Sequence, residues 1–163
     1  MKLSTLPISP KLLCNPIHFI SLGFGAGLSP LAPGTIGTLV GVILYLLSAP
    51  LSNETYVTFV VIGAILGVFF CGHTARKVGN HDPSSIVWDE IIGMMIAMIA
   101  IPFKWQWILF AFFLFRLLDI FKPWPIRIID RNVKGGFGIM LDDIVAGFAT
   151  FIIVQIAVFI LSS

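Results

Sequence analysis

Arg116-Leu-Leu-Asp119-Ile-Phe-Lys122-Pro-Trp-Pro-Ile-Arg127-Ile-Ile-Asp130-Arg131 is followed, three residues later, by Gly135-Gly-Phe-Gly-Ile-Met-Leu-Asp142-Asp143-Ile-Val-Ala-Gly147. In a chain poor in charge, this is where charge collects. Pro123 and Pro125 forbid a continuous helix between them, and Gly135, Gly136 and Gly138 admit backbone angles that other residues avoid. A shaped loop is therefore expected. Its carboxylates Asp119, Asp130, Asp142 and Asp143 stand beside Arg116, Lys122, Arg127, Arg131 and Lys134. That mixture suits a divalent cation held together with a phosphate.

The rest of the chain is what holds this stretch in place. Of the 163 residues, 58% are hydrophobic and only 11% charged, with a mean hydropathy of +1.02. An aqueous globule with so few charges could not cover its apolar surface, so the chain belongs in a bilayer. Five apolar segments are read at about 35–50, 57–72, 86–101, 106–121 and 144–161. Several fall short of the roughly 20 residues that a perpendicular span needs. The expected fold is all-α: a polytopic membrane bundle of about four to five apolar helices, some short, with a structured cytoplasmic Pro/Gly loop.

Positive residues set the orientation, because they accumulate on the cytoplasmic side. Lys2 and Lys11 precede the first segment, Arg76 and Lys77 follow the second, and Lys122 to Lys134 follow the fourth, whereas loops 51–56 and 102–105 carry only Glu54 and Lys104. The N-terminus and loops 73–85 and 122–143 are thus placed in the cytoplasm, and the C-terminus outside. By that parity Asp82, Asp89, Glu90, Asp119, Asp130, Asp142 and Asp143 gather at one membrane face. Seven acids there repel one another unless cations offset them, and a bound metal is the economical answer.

Local patterns sharpen the reading. Asp82-Pro83 is a helix start, with Asp82 as its cap, which puts Asp89 and Glu90 about two turns inside the helix. Asp89 has Gly93 four residues on, and Asp143 has Gly147 four residues on. If those glycine faces meet, Asp89 meets Asp143. Arg116 and Asp119 share a face, either as a simple ion pair or, with Lys122 one turn on, as part of a site. The stretch Gly23 to Gly41 either aims the free N–H groups of a helix starting near Thr35 at a phosphate, or uses Gly37 and Gly41 for close packing. No Gly-Lys-Ser/Thr follows its glycines, so it is not a nucleotide loop. His81 is a lesser candidate for protonating a leaving alkoxide.

Other chemistries find no support. The net charge of +2, without a basic stripe interleaved with aromatics, gives no basis for nucleic-acid binding. Cys14 and Cys71 match neither a disulfide scaffold nor a zinc spacing, and Met1 to Leu13 do not read as a cleaved signal peptide. Cys-x5-Arg and Asp-x-Asp-x-Thr phosphatase motifs are missing, leaving metal-activated water by elimination. A small transporter with acids along an ion path is one rival. A lipid phosphotransferase is another, although its usual Asp-Gly-x2-Ala-Arg motif is not found.

Five stretches resemble the phosphatidylglycerophosphatase A family of bacterial membrane lipid phosphatases. They are Ser29-Pro-Leu-Ala-Pro33-Gly-Thr-Ile-Gly37, Ile86-Val-Trp-Asp89-Glu90-Ile-Ile-Gly93, Phe115-Arg-Leu-Leu-Asp119-Ile-Phe-Lys122-Pro-Trp-Pro-Ile126, Asp130-Arg-Asn-Val133 and Gly135 to Gly147. The resemblance implies a Mg2+-dependent enzyme of the bacterial inner membrane that removes the terminal phosphate of phosphatidylglycerol phosphate. It implies Asp89, Glu90, Asp119, Asp142 and Asp143 as metal ligands or water activators, with Arg116 and Lys122 on the phosphate. Ser29, Thr35 and Arg131 complete the substrate-binding candidates. Residues 1–14 are expected to form a variable N-terminal segment and 15–163 the membrane domain. The expected partners are a phospholipid substrate and the bilayer, with no obligatory protein partner.

Overall fold

The computed structural model describes residues 10–78 and 84–162. Every regular element among them is helical. After a short turn of 3-10 helix at Pro10–Cys14 come α1 (Pro16–Ser21), a second 3-10 turn (Gly23–Leu28), α2 (Pro33–Leu47), α3 (Asn53–Val78), α4 (Trp88–Ala97), α5 (Trp105–Phe121), α6 (Ile126–Asn132) and α7 (Gly135–Ser162). The five apolar segments correspond to α2, α3, α4, α5 and α7. His81 and Asp82, named above as proton donor and cap, lie outside the described residues.

Two helices, α3 and α7, are long and apolar enough to cross a membrane. At 1.5 Å per residue, their 26 and 28 residues extend about 39 and 42 Å, against a hydrocarbon core of about 30 Å. Their outer faces are apolar: Phe59, Ile62, Ile65 and Phe69 on α3, and Ile152, Ile156 and Phe159 on α7, are all exposed. A stripe of this kind on a long helix is stable against lipid tails, not against water.

The fold is arranged around a short helix at its centre. Helix α4 has ten residues, eight of them buried, and packs against α2, α3, α5 and α7. Beyond its first turn this helix is apolar all round, because it has no outer face. Its sides are met by glycines. A methyl at Gly37 would lie 2.7 Å from the Val87 Cβ, and one at Gly41 would lie 2.9 Å from the Ile91 carbonyl oxygen. On α3, a methyl at Gly63 would meet Ile92 Cδ1 at 2.7 Å. The packing role weighed for Gly37 and Gly41 is therefore the one they fill.

Because α4 stops at Ala97, carbonyls near its C-terminus need partners in a place without water. The Tyr56 hydroxyl donates to the Met95 carbonyl at 2.8 Å, and the Gln155 amide donates to the Ile99 carbonyl at 2.9 Å. At the opposite end, Trp88 Nε1 donates to the Gly63 carbonyl at 3.0 Å. These bonds tie α4 and the residues just after it to α3 and α7.

Two local expectations change. Asp89 and Glu90 are in the first turn of α4, not two turns inside it. The helix starts late because the preceding segment is held in another way. The Val87 N–H donates to the Ser21 carbonyl at 3.0 Å, and the Ser85 carbonyl sits where a methyl on Gly27 would be. The acids consequently face the free N–H end of the helix, which favours negative charge. Secondly, the glycine half of the stretch quoted at the outset is already helix. Only residues around Lys122 to Pro125 and Val133 to Lys134 remain as turns, with α6 between them. Gly136 lies against the backbone of Val68 and Gly72, and Gly138 against the Val133 carbonyl. These contacts outweigh the modest helix penalty of glycine.

Candidate functional site

The N-terminal ends of α4 and α7, the C-terminal end of α5, and α6 enclose a cavity of about 430 Å3. Asp89, Glu90, Asp119, Asp130, Asp142 and Asp143 all line it, so every described acid except Glu54 is at this one place. Three basic side chains, Lys122, Arg131 and Lys134, share the wall.

At its base Asp89, Glu90 and Asp143 each present a carboxylate oxygen, and the three atoms lie within 4.8 Å of one another. The approach predicted from glycine spacing produces this. A methyl at Gly93 would stand 2.7 Å from the Asp143 carbonyl oxygen, and one at Gly147 would run into the Gly93 carbonyl. Helices that touch backbone to backbone carry their acids together. Gly34 at the start of α2 does the same for Glu90, whose Oε1 occupies the space a methyl would need.

Around the base the remaining groups are ordered by ion pairs. Arg116 Nη1 binds Asp119 Oδ2 and reaches Thr38 Oγ1 at 3.5 Å, while the Thr38 hydroxyl donates to the Gly34 carbonyl at 2.8 Å. Lys122, at the C-terminus of α5 with φ of 42°, turns its ammonium back to donate to Asp130 Oδ1 at 2.7 Å and to Asp142 Oδ2. Burial alone would lower the pKa of this ammonium. Its hydrogen bonds to Asp130 and Asp142, and their charges, more than reverse that and raise it above the ordinary lysine value.

The pairing is incomplete: Arg116 Nε is buried without an acceptor among the described residues, and four carboxylate oxygens are left over. Asp89 Oδ1, Glu90 Oε2, Asp142 Oδ1 and Asp143 Oδ1 are buried with no hydrogen-bond partner among the described residues. Each such oxygen carries the desolvation penalty of an unmet acceptor, and the converging negative charges add repulsion. An all-oxygen set of this kind fits a hard divalent cation such as Mg2+, which takes carboxylate and water oxygens and would offset both costs.

The candidates named from sequence divide clearly. Asp89, Glu90 and Asp143 are gathered as one group, with Asp119 and Asp142 on the same wall. Lys122 and Arg131 also face the cavity. Arg116 does not line it and instead holds Asp119 from behind. Ser29 and Thr35 do not line it either: the Ser29 hydroxyl donates to the Leu31 carbonyl at 2.9 Å, closing a local turn. The hydroxyl that reaches the charged cluster is that of Thr38, which sequence reasoning passed over. Its signal was its place on the buried glycine face of α2, beside Gly34, Gly37 and Gly41. Asp130 and Lys134, counted in the charged stretch but not named as site residues, both prove to be wall residues.

A second polar cluster lies apart from the cavity, between α1 and α3. Buried His18 contacts Thr74 Oγ1 through Nδ1 at 2.9 Å, and Thr74 donates to Ser21 Oγ at 2.9 Å. Burial, then the neighbouring His73 and Lys77, lower the pKa of His18 below the usual histidine value.

Comparison with known proteins bears directly on this arrangement. The family model described as phosphatidylglycerophosphatase A matches residues 19–158. The chain is 51% identical over 136 residues to a phosphatidylglycerophosphatase A of Escherichia coli (strain K12), covering 83% of this chain and 79% of the relative. It is 46% identical over 150 residues to a phosphatidylglycerophosphatase A of Haemophilus influenzae, covering 91% and 92% respectively. No solved structure matches.

Proposed function

Since the chain belongs to the phosphatidylglycerophosphatase A family, we propose that it hydrolyses the terminal phosphate monoester of phosphatidylglycerol phosphate, releasing phosphatidylglycerol, with Mg2+ held by its clustered carboxylates. One observation carries the metal part of this reading: Asp89, Glu90 and Asp143 bring carboxylate oxygens within 4.8 Å of one another, and each of the three has a buried oxygen with no hydrogen-bond partner among the described residues. These three residues would hold the ion, with Asp119 beside them. When bound, Mg2+ supplies a clamp on the phosphoryl oxygens and lowers the pKa of water.

The chain's own groups do the rest. Lys122 offers positive charge to the phosphoryl oxygens from within the wall, where low dielectric strengthens the contact. Asp142 has Oδ2 fixed by Lys122 and Oδ1 without a partner, so Oδ1 accepts a proton from the attacking water. Arg116 is a positioning residue that holds Asp119 in line and is itself anchored on Thr38. The bases at the cavity end (Arg76, Lys77, Lys122, Arg127, Arg131 and Lys134), against Lys104 in loop 102–105, support a site that faces the cytoplasm from a bacterial inner membrane.

The test uses purified protein in detergent with phosphatidylglycerol phosphate, reading phosphate release with Mg2+, with chelator, and for Asp89→Asn. Release with Mg2+ alone, lost in the variant, is expected. Full release in chelator removes the metal from the reading, and silence under every condition removes the phosphatase.

A further inference from the structure

The cavity is graded in charge. Its base is acidic and buried, while its exposed rim carries two cations, Arg131 at the end of α6 and Lys134 just before α7. Among the described residues no ion pair involves either of them, although Lys122, deeper in the same wall, has two. A phosphoryl group drawn to the base would occupy Lys122 and leave the rim charges unanswered. They are placed for a second anion on the same substrate.

The surroundings of the rim identify which anion. Trp124 is 78% exposed, Phe137 56% and Ile128 49%, on the turn before α6, on α7 and on α6. Exposed aromatic and aliphatic side chains within the same stretch of chain, residues 124–137, as exposed Arg131 and Lys134 are the composition of a membrane-water interface. A group held there sits at headgroup level with acyl chains beside it. We infer that Arg131 and Lys134 bind the phosphodiester of the lipid substrate, and thereby select lipids that carry a diester as well as a terminal monoester over lipids with one phosphate.

This rests on the phosphatase reading above and goes beyond it by assigning selectivity to two residues distant from the reacting bond. The discriminating experiment measures kcat/KM in mixed micelles on two substrates, phosphatidylglycerol phosphate and phosphatidic acid, which lacks the diester. The wild type is compared with Arg131→Ala/Lys134→Ala and with the charge-preserving Arg131→Lys/Lys134→Arg. The alanine pair is expected to lower the preference for the first substrate at least about tenfold, chiefly through KM, since two charge-assisted contacts are removed. The charge-preserving pair is expected to recover most of it. Equal loss on both substrates, or none on either, overturns the inference while leaving the phosphatase reading intact. A wild type inactive on phosphatidylglycerol phosphate overturns both.

Discussion

Gly93→Ala tests whether the contact between α4 and α7 builds the metal-binding group. A methyl at residue 93 would lie 2.7 Å from the Asp143 carbonyl oxygen and 2.7 Å from two carbons of the Phe115 ring, where relaxed heavy-atom contacts need about 3.5–4.0 Å. Overpacking of a tight site costs ~1–3 kcal/mol. Backbone on one side and a fully buried ring on the other leave little room to relax, which puts the cost near 3 kcal/mol. Alanine returns about 1 kcal/mol of helix propensity. The net loss is about 2 kcal/mol, roughly 30-fold in the folding equilibrium. The same push separates the backbones that carry Asp89 and Asp143, so the Mg2+ concentration for half-maximal phosphate release rises as well. Unfolding in mixed micelles reads the first effect and a Mg2+ titration the second. Gly135→Ala serves as a control: its φ is +75° and no atom lies within 4 Å of a methyl there, so it carries about 1 kcal/mol of strain with no change in Mg2+ response. A Gly93→Ala protein with wild-type stability and wild-type Mg2+ dependence would refute the proposed helix contact.

Asp143→Asn is expected to lower phosphate release more than about 100-fold, yet to raise the unfolding temperature in chelator, because one of three crowded buried carboxylates loses its charge; both are read on one preparation. Lys122→Met strips Asp130 and Asp142 of their shared cation and should cost about 1–2 kcal/mol in denaturant unfolding at neutral pH. The folded pKa of Lys122 is raised, so its contribution is whole below the unfolded value of about 10.4 and is lost only as pH climbs through the raised value. The stability gap between wild type and Lys122→Met should accordingly hold from pH 6 to about 10. His18 has the opposite sign: its folded pKa is lowered, so the unfolded chain takes up the proton first, and stability falls as pH drops below about 6.5. Thermal scans between pH 7.5 and 5 should show that loss, with a shallower slope for His18→Gln.

What could be read without coordinates was whatever depends on short spacing. Apolar runs marked α2, α3, α4, α5 and α7, and the four-residue step from acid to glycine at Asp89/Gly93 and Asp143/Gly147 foretold the meeting of two helices, because a glycine face is useful only where something comes close. Legibility failed where the decisive partner is far away in sequence. Nothing near Asp89 signals that Ser21 holds the Val87 N–H and delays the start of α4. Tyr56 and Gln155 read as ordinary polar residues in apolar helices, and only their partners Met95 and Ile99, 39 and 56 positions away, reveal them as caps. Thr35 and Thr38 could not be separated by composition. They differ by which side of α2 faces Arg116, a fact of packing rather than of propensity.

The brevity of α4 has a consequence for how the protein is made. Ten residues rise about 15 Å, half of a hydrocarbon core, so the translocation machinery has no full-length segment to release sideways into lipid. Helix α4 is instead held by its packing against α2, α3, α5 and α7. It brings Asp89 and Glu90 with it. The acid group that Asp89 and Glu90 share with Asp143 therefore exists only where α4 is packed against α7.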